Sequence, residues 1–169
     1  MEIQDKSALA RKPMTDFEYV DFEVEKEPWN KYRLEDKSIL KTKFVLINIF
    51  AEKGWIQKVQ RIKGSKDKVG IAVRLQPTNV TGVQVPPNLF GPPTSGNYTI
   101  QEIASSIVKN DLDIEVIAES WNVYRLPESF VVKVKSSPVN VARTSKFDSE
   151  GVPIYLIDFS ADMKIGPRK

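Results

Sequence analysis

The 169-residue chain contains no cysteine and no histidine. The first absence excludes disulfides, thiolate nucleophiles and Cys-ligated zinc or iron–sulfur centres, and the second removes the commonest general base and metal ligand. Only carboxylates, Lys, Tyr, Ser and Thr are left for chemistry, so the sequence reads as a non-enzyme that needs no cofactor and no metal. Long hydrophobic runs are missing too. The opening MEIQDKSALARKP has no apolar core of signal-peptide length, and the longest apolar stretch, residues 44–51, is interrupted by Asn48 and is too short to span a bilayer. A cytoplasmic address without membrane contact is expected. Charge of one sign is scarce as well: 25 basic against 22 acidic residues leave a net +3, which permits an anionic partner without requiring one.

What the chain does have is an internal repeat. Shifted by 92 positions, DFEVEKEPWNKYRLEDKSILKTKFVLINI (residues 21–49) aligns without a gap on DIEVIAESWNVYRLPESFVVKVKSSPVNV (residues 113–141), and 12 of the 29 pairs are identical. Chance would give about two. The identical pairs include Trp29/Trp121, Asn30/Asn122, Tyr32/Tyr124, Arg33/Arg125, Lys41/Lys133 and Lys43/Lys135. A weaker match at an offset of 81 relates VGIAVRLQPTNVTGVQVP to EGVPIYLIDFSADMKIGP, so the first copy carries 11 extra residues.

Each copy reads as four or five short strands. Val20, Phe22 and Val24 alternate with Asp21, Glu23 and Glu25, and the second copy repeats this with Leu112, Ile114 and Val116; period 2 marks a half-buried strand. Tyr32 and Leu34 share the inner face of a second strand, and Glu35-Asp36-Lys37-Ser38 supplies a hairpin loop. The third strand places Leu40, Thr42 and Phe44 inside and Lys41 and Lys43 outside, then flips phase to Ile47 and Ile49, which implies a bulge. Two further strands are expected from Val69, Ile71, Val73 and Leu75 and from Val83 and Val85, with counterparts near the C-terminus. The fold class is therefore mainly β: two tandem small β-barrels from an internal duplication, SH3-like or OB-like, with one amphipathic helix between them. The corresponding division is a flexible arm at 1–15, a first barrel at 16–85 with an insertion at 51–68, a Pro-rich linker at 86–97, a helix at 98–110 and a second barrel at 111–169. The helix is marked by a capping box, Thr99 with Glu102, and by a stripe of Ile100, Ile103, Ala104, Ile107 and Val108.

The run Glu27-Pro28-Trp29-Asn30-Lys31-Tyr32-Arg33-Leu34-Glu35-Asp36-Lys37-Ser38, repeated from Glu119, resembles archaeal proteins with tandem copies of E-x-W-N-x-Y-x-L-x-D-G-x-x-L. The resemblance covers about 29 residues of each copy, implies a repeated β-barrel and carries no activity. Lys37 and Ser129 stand where that pattern has Gly.

Three constellations bear on function. Trp29, Asn30, Tyr32 and Arg33, with Trp121, Asn122, Tyr124 and Arg125, fit stacking on bases or sugars, but packing and a pairing of Arg with a neighbouring acidic strand account for them better. Lys41 with Lys43, and Lys133 with Lys135, project from one face of their strands, where they suit either a phosphate backbone or the defence of a sheet edge. The insertion holds Lys53, Lys58, Arg61, Lys63, Lys66 and Lys68 against Glu52 and Asp67, with Trp55 as an aromatic platform. Residues 1–85 carry 16 basic and 12 acidic residues and the remainder 9 and 10, so the surplus lies in the first copy, unless the insertion is merely a solvated hairpin. Asp21, Glu23, Glu25, Asp113 and Glu115 are too widely spaced along exposed strands, about 7 Å at alternate positions, for a metal site. The reading that follows is a binding protein contacting nucleic acid or another polyanion through the first copy. The alternative is a protein–protein adaptor or scaffold that presents the 100–108 helix, the linker with Phe90 or the barrel edges.

Overall fold

The computed structural model describes residues 12–62 and 70–168. Ten strands run in chain order: β1 (Phe17–Val20), β2 (Glu23–Lys26), β3 (Asn30–Leu34), β4 (Ile39–Glu52), β5 (Val73–Gln84), β6 (Ile107–Lys109), β7 (Ile114–Ala118), β8 (Asn122–Arg125), β9 (Phe130–Phe147) and β10 (Pro153–Pro167). Two α-helices accompany them, α1 (Trp55–Ile62) and α2 (Ile100–Ala104). Mainly β is correct, but the strands form two five-stranded antiparallel sheets rather than closed barrels. None of the described helices is long and apolar enough to cross a membrane.

Both sheets are built on one long central strand. In sheet A, β4 pairs along its length with β5, while its other edge takes β3 at Ile39–Thr42 and β1 at Ile49–Glu52. In sheet B, β9 pairs with β10 on one side and with β8 and β6 on the other. The separate fourth and fifth strands expected in each copy are single continuous strands, β5 and β10, because they follow their long partners throughout. Pro77 is tolerated within β5 because that strand is a sheet edge. The bulge read from the phase flip is present in both sheets. Register skips Ile47 between Leu46 and Asn48, and Val139 between Pro138 and Asn140. Ile49 and Val141 consequently turn inward, whereas Ile47 and Val139 are exposed, correcting the inward placement of Ile47.

The first strand of each copy is not where alternation alone puts it. Residues 20–25 split: β1 stays on β4, then the chain crosses and β2 pairs with β8 of the second copy. Reciprocally, β7 of the second copy pairs with β3 of the first. Segments 16–85 and 111–169 therefore each give a strand to the other's sheet. The two hydrophobic clusters are mixed in the same sense. One joins Tyr32, Leu34 and Leu40 to Leu112 and Val141. The other joins Tyr124, Leu126 and Val132 to Val20 and Ile49, the positions 92 residues away, and adds Phe44, Leu46, Trp55 and Val59.

Connections depart further from the sequence reading. The capping box is present, with Thr99 Oγ1 accepting from Glu102 N at 3.1 Å and Glu102 Oε2 from Thr99 N at 3.0 Å, but α2 is a single turn. Ser105 and Ser106 bond back to the carbonyls of Glu102 and Ile103 at 3.2 and 2.7 Å, ending the helix, and Ile107 begins β6. The stripe is therefore not a buried helix face: Ile100 is 89% exposed. The Pro-rich segment lies against the β9–β10 turn, with Gly91 N donating to Gly151 O at 2.9 Å and Thr94 N to Asp148 O at 3.1 Å. A Cβ on Gly91 would stand 2.3 Å from the Phe147 ring. Of the N-terminal arm, residues 1–11 lie outside the described residues, and Arg74 Nη2 donates to Lys12 O at 2.8 Å.

Two outcomes are expected. Residues 1–97 and 98–169, produced separately, should each give a poorly dispersed amide NMR spectrum, since each lacks a strand of its sheet; native-like dispersion of either alone contradicts the exchange. Lys37 and Ser129 adopt left-handed backbone, φ 71° and 58°, a conformation that glycine takes without penalty. Lys37→Gly should raise stability by about 1 kcal/mol in denaturant unfolding, by relieving the left-handed penalty on an L residue.

Candidate functional site

The repeated residues divide cleanly between the two faces of the sheets. Alternation sends Asn30, Tyr32 and Leu34 inward, with Tyr32 1% exposed, and leaves Lys31 and Arg33 outside; Asn122 and Tyr124 behave alike. Tyr32 Oη donates to Glu119 at 2.7 Å, and Tyr124 Oη donates to Glu27 at 2.8 Å, a reciprocal pair across the exchanged segments. Burial first, then the adjacent carboxylate, drives both phenols well above the usual tyrosine range. Asn122 Nδ2 donates to Phe44 O at 2.8 Å and Leu46 N to Glu27 Oε2 at 3.4 Å, so side chains satisfy the stretch of β4 left open between β3 and β1. Arg33 pairs with Glu115 at 3.4 Å and Arg125 with Glu23 at 3.0 Å. These Arg–carboxylate pairs lie on neighbouring strands, as the packing alternative required, but the partner strand belongs to the other copy. Glu25 is taken by Arg168 at 3.1 Å.

The outward residues gather the lysines around the tryptophans. Lys41 and Lys43 Nζ lie 5.1 and 5.9 Å from the ring centre of Trp29, and Lys135 and Lys164 lie 5.1 and 4.8 Å from that of Trp121. Because β4 and β9 are the central strands of their sheets, the lysines they carry, Lys41, Lys43, Lys133 and Lys135, are not an edge defence; Lys164 lies on the edge strand β10. On sheet B the register sets Lys26, Val123, Lys133 and Lys164 in one row across four strands. The row borders a cleft of about 610 Å³ in which the one acidic lining residue is Glu25, already bound to Arg168. Sheet A has the matching row Ala118, Lys31, Lys41 and Gly82. Among the described residues, no carboxylate lies within ion-pair distance of Lys26, Lys31, Lys41, Lys43, Lys133 or Lys164. Lys135 alone of the repeated lysines has one, Glu119 at 3.8 Å.

The insertion is arranged differently from its sequence reading. Its described part carries α1, and Trp55 and Val59, one turn apart, are 4% and 0% exposed within the hydrophobic cluster. Trp55 is thus a core residue and not an aromatic platform: the open end of that cluster takes the apolar stripe of α1 beside the turn at Pro127–Ser129. Lys58 is spent on Glu52 at 2.8 Å, Lys53 and Arg61 are exposed, and Lys63, Lys66 and Lys68 lie outside the described residues. Sequence reasoning missed Lys26, Lys31 and Lys164. Lys31 was readable from alternation, but Lys26 reaches its row only through the exchange of β2.

The opposite hydrophobic cluster is closed by a polar lock instead of a helix. Asp36 Oδ2 accepts from Arg143 Nη1 at 2.9 Å and from Tyr155 Oη at 2.7 Å, while Asp36 Oδ1 accepts from Ser38 N at 3.0 Å. Ser38 Oγ stands 3.0 Å from the Tyr155 oxygen. Burial works against the Asp36 charge, but the donors from Tyr155, Ser38 and Arg143 outweigh it and hold the carboxyl below its usual range. Burial, with the Asp36 carboxylate adding to it, leaves the Tyr155 phenol pushed up to about 12. Its members tie the first copy's hairpin loop to β9 and β10.

Compared with known protein families, with characterised proteins and with solved structures, the chain matches none of them.

The lock has a pH consequence. A carboxyl whose folded pKa is depressed stabilises the protein above its unfolded pKa of about 3.9, and the contribution is lost as pH falls through the folded value. Thermal unfolding between pH 7 and pH 3 should show a fall in Tm that Asp36→Asn flattens. At pH 7 the same substitution should cost about 2–3 kcal/mol by leaving the Arg143 guanidinium without its buried partner.

Proposed function

We propose that this protein is a non-enzymatic binder of single-stranded nucleic acid that uses the outer faces of its sheets, and that the two faces derive from an internal duplication. The observation that carries the reading is the pair of like arrangements in which one tryptophan has two lysines over its ring, all of them but Lys135 without a carboxylate partner among the described residues. A phosphate backbone takes such lysines as counter-charges, and an indole accepts a base on its flat face. Trp29, at 45% exposed, has ring surface to offer. A duplex would engage the lysines but has no unstacked base for the indole, so a single strand is the better fit. Face B, with Lys26, Lys133 and Lys164 in one row, carries more charge than face A, where Ala118 and Gly82 hold the outer positions of the row. The binding surface is thereby shifted from the insertion of the first copy to faces to which both copies contribute.

Titration with oligothymidylate, followed by tryptophan fluorescence, tests this. Binding should quench Trp29 and Trp121 and leave buried Trp55 as an unresponsive background. The apparent affinity should fall with salt with a log–log slope near −2 for about three neutralised phosphates on face B, and Lys133→Ala with Lys164→Ala should reduce that slope by about 0.7 each. Absence of binding at low salt, or a slope unchanged by both substitutions, rules the reading out.

A further inference from the structure

The two tryptophan–lysine faces do not lie side by side. Sheet A contributes Tyr32, Leu34, Leu40 and Val83 to the cluster it shares with Val141, Tyr155 and Ile157 of sheet B. At the other end, Phe44, Leu46 and Ile49 of sheet A meet Tyr124, Val132 and Val134 of sheet B. The sheets thus pack inner face to inner face along their length. Lys41 and Lys43 alternate with Leu40, Thr42 and Phe44, and Lys133 and Lys135 alternate with Val132, Val134 and Ser136. Since successive side chains of a strand point to opposite faces, each lysine set points away from the shared core. The cation–π contacts fix Trp29 and Trp121 on the same outer surfaces as their lysines.

Two like binding faces on opposite sides of a two-layer body have a consequence that one face, or two adjoining faces, lacks. A short strand lying on face A cannot touch face B without passing around the sheet edges, which are β5 and β7 for sheet A and β10 and β2 for sheet B. We infer that one molecule of the protein holds two separate strand segments at once and bridges them. The inference rests on the proposed single-strand binding and adds its valency. It accounts for the duplication of Trp and Lys on both sheets, which a single-sited binder would not need. The faces are not equal: the three-lysine row of sheet B fills first, and sheet A, with two, fills second. The bridge is direct, because the strands that carry one lysine set are packed through the shared core against the strands that carry the other, with no mobile linker between them.

Bridging is read by stoichiometry. The full chain, at fixed concentration and low salt, is mixed with an oligothymidylate of about ten nucleotides, within the site size of one small binding surface. Sedimentation velocity at the oligonucleotide absorbance then gives the mass of the complex. The expected result is two oligonucleotides per protein chain, together with capture of a free dye-labelled oligonucleotide by protein already bound to an immobilised one. Trp121→Ala with Lys133→Glu and Lys164→Glu should leave one oligonucleotide per chain and abolish the capture, as should Trp29→Ala with Lys41→Glu and Lys43→Glu. A saturating ratio of one in the unsubstituted protein overturns the inference while leaving single-strand binding in place. No complex at any ratio overturns the binding itself. Capture that appears only with protein oligomers in the sedimentation profile assigns the bridge to self-association and likewise overturns the inference.

Discussion

The hydrogen bonds of β2 to β8 and of β7 to β3 are the constraint on which the rest of the molecule depends. A strand's backbone groups must be paired somewhere, and here β2 and β7 are each paired only by a strand of the other copy. Once that is fixed, the remaining contacts follow from position. Tyr32 reaches Glu119 and Tyr124 reaches Glu27 because each glutamate directly follows an exchanged strand. Arg33 and Arg125 find their carboxylates across the same two ladders. Even the composition of the cores, residues 32–40 of one copy with residues near 20 and 49 of the other, is the exchange seen from inside.

The long central strands convert this framework into surfaces. With β4 and β9 paired on both edges, their alternating lysines cannot act at a sheet margin and are displayed instead on a broad face. The bulges at Ile47 and Val139 let one strand serve two partners of different phase, β3 then β1, or β8 then β6. Where β4 lies between its two partners, Leu46 N donates to Glu27. The equivalent position of β9 is Pro138, which has no N–H to satisfy, and Glu119 there turns to Lys135. Equivalent backbone problems in the two halves thus have different chemical answers.

Much of this was legible in the residues. Alternation around Leu40, Thr42 and Phe44 located the inner face and the lysines opposite it, and the phase flip located the bulge. The capping box was found where Thr99 and Glu102 put it. What escaped has physical causes. Period-2 reading cannot say which sheet a strand joins, so Val20 to Glu25 looked like one strand when it is the end of β1, a crossing and the start of β2. The stripe at Ile100 to Val108 satisfies helical spacing, but two consecutive serines bonding to their own helix override it. Trp55 was hidden by its basic neighbours: α1 is eight residues long, and Trp55, Ile56 and Val59, which pack on the core, stand among Gln57, Lys58, Gln60 and Arg61 in a segment read by its charge.

The segment at 86–97 acquires a different meaning from the docking of Gly91 and Thr94 on the β9–β10 turn. Two segments of one chain that trade strands are arranged as two subunits of a two-fold dimer would be, but here residues 86–97 lie on the covalent connection between them. Assembly then no longer depends on protein concentration. Symmetry also ceases to be compulsory. A homodimer must seal both ends of its interface with the same residues, whereas this chain seals one with the hydrophobic face of α1 and the other with Asp36, Arg143 and Tyr155. The covalent connection is what lets the two ends be closed by different chemistry.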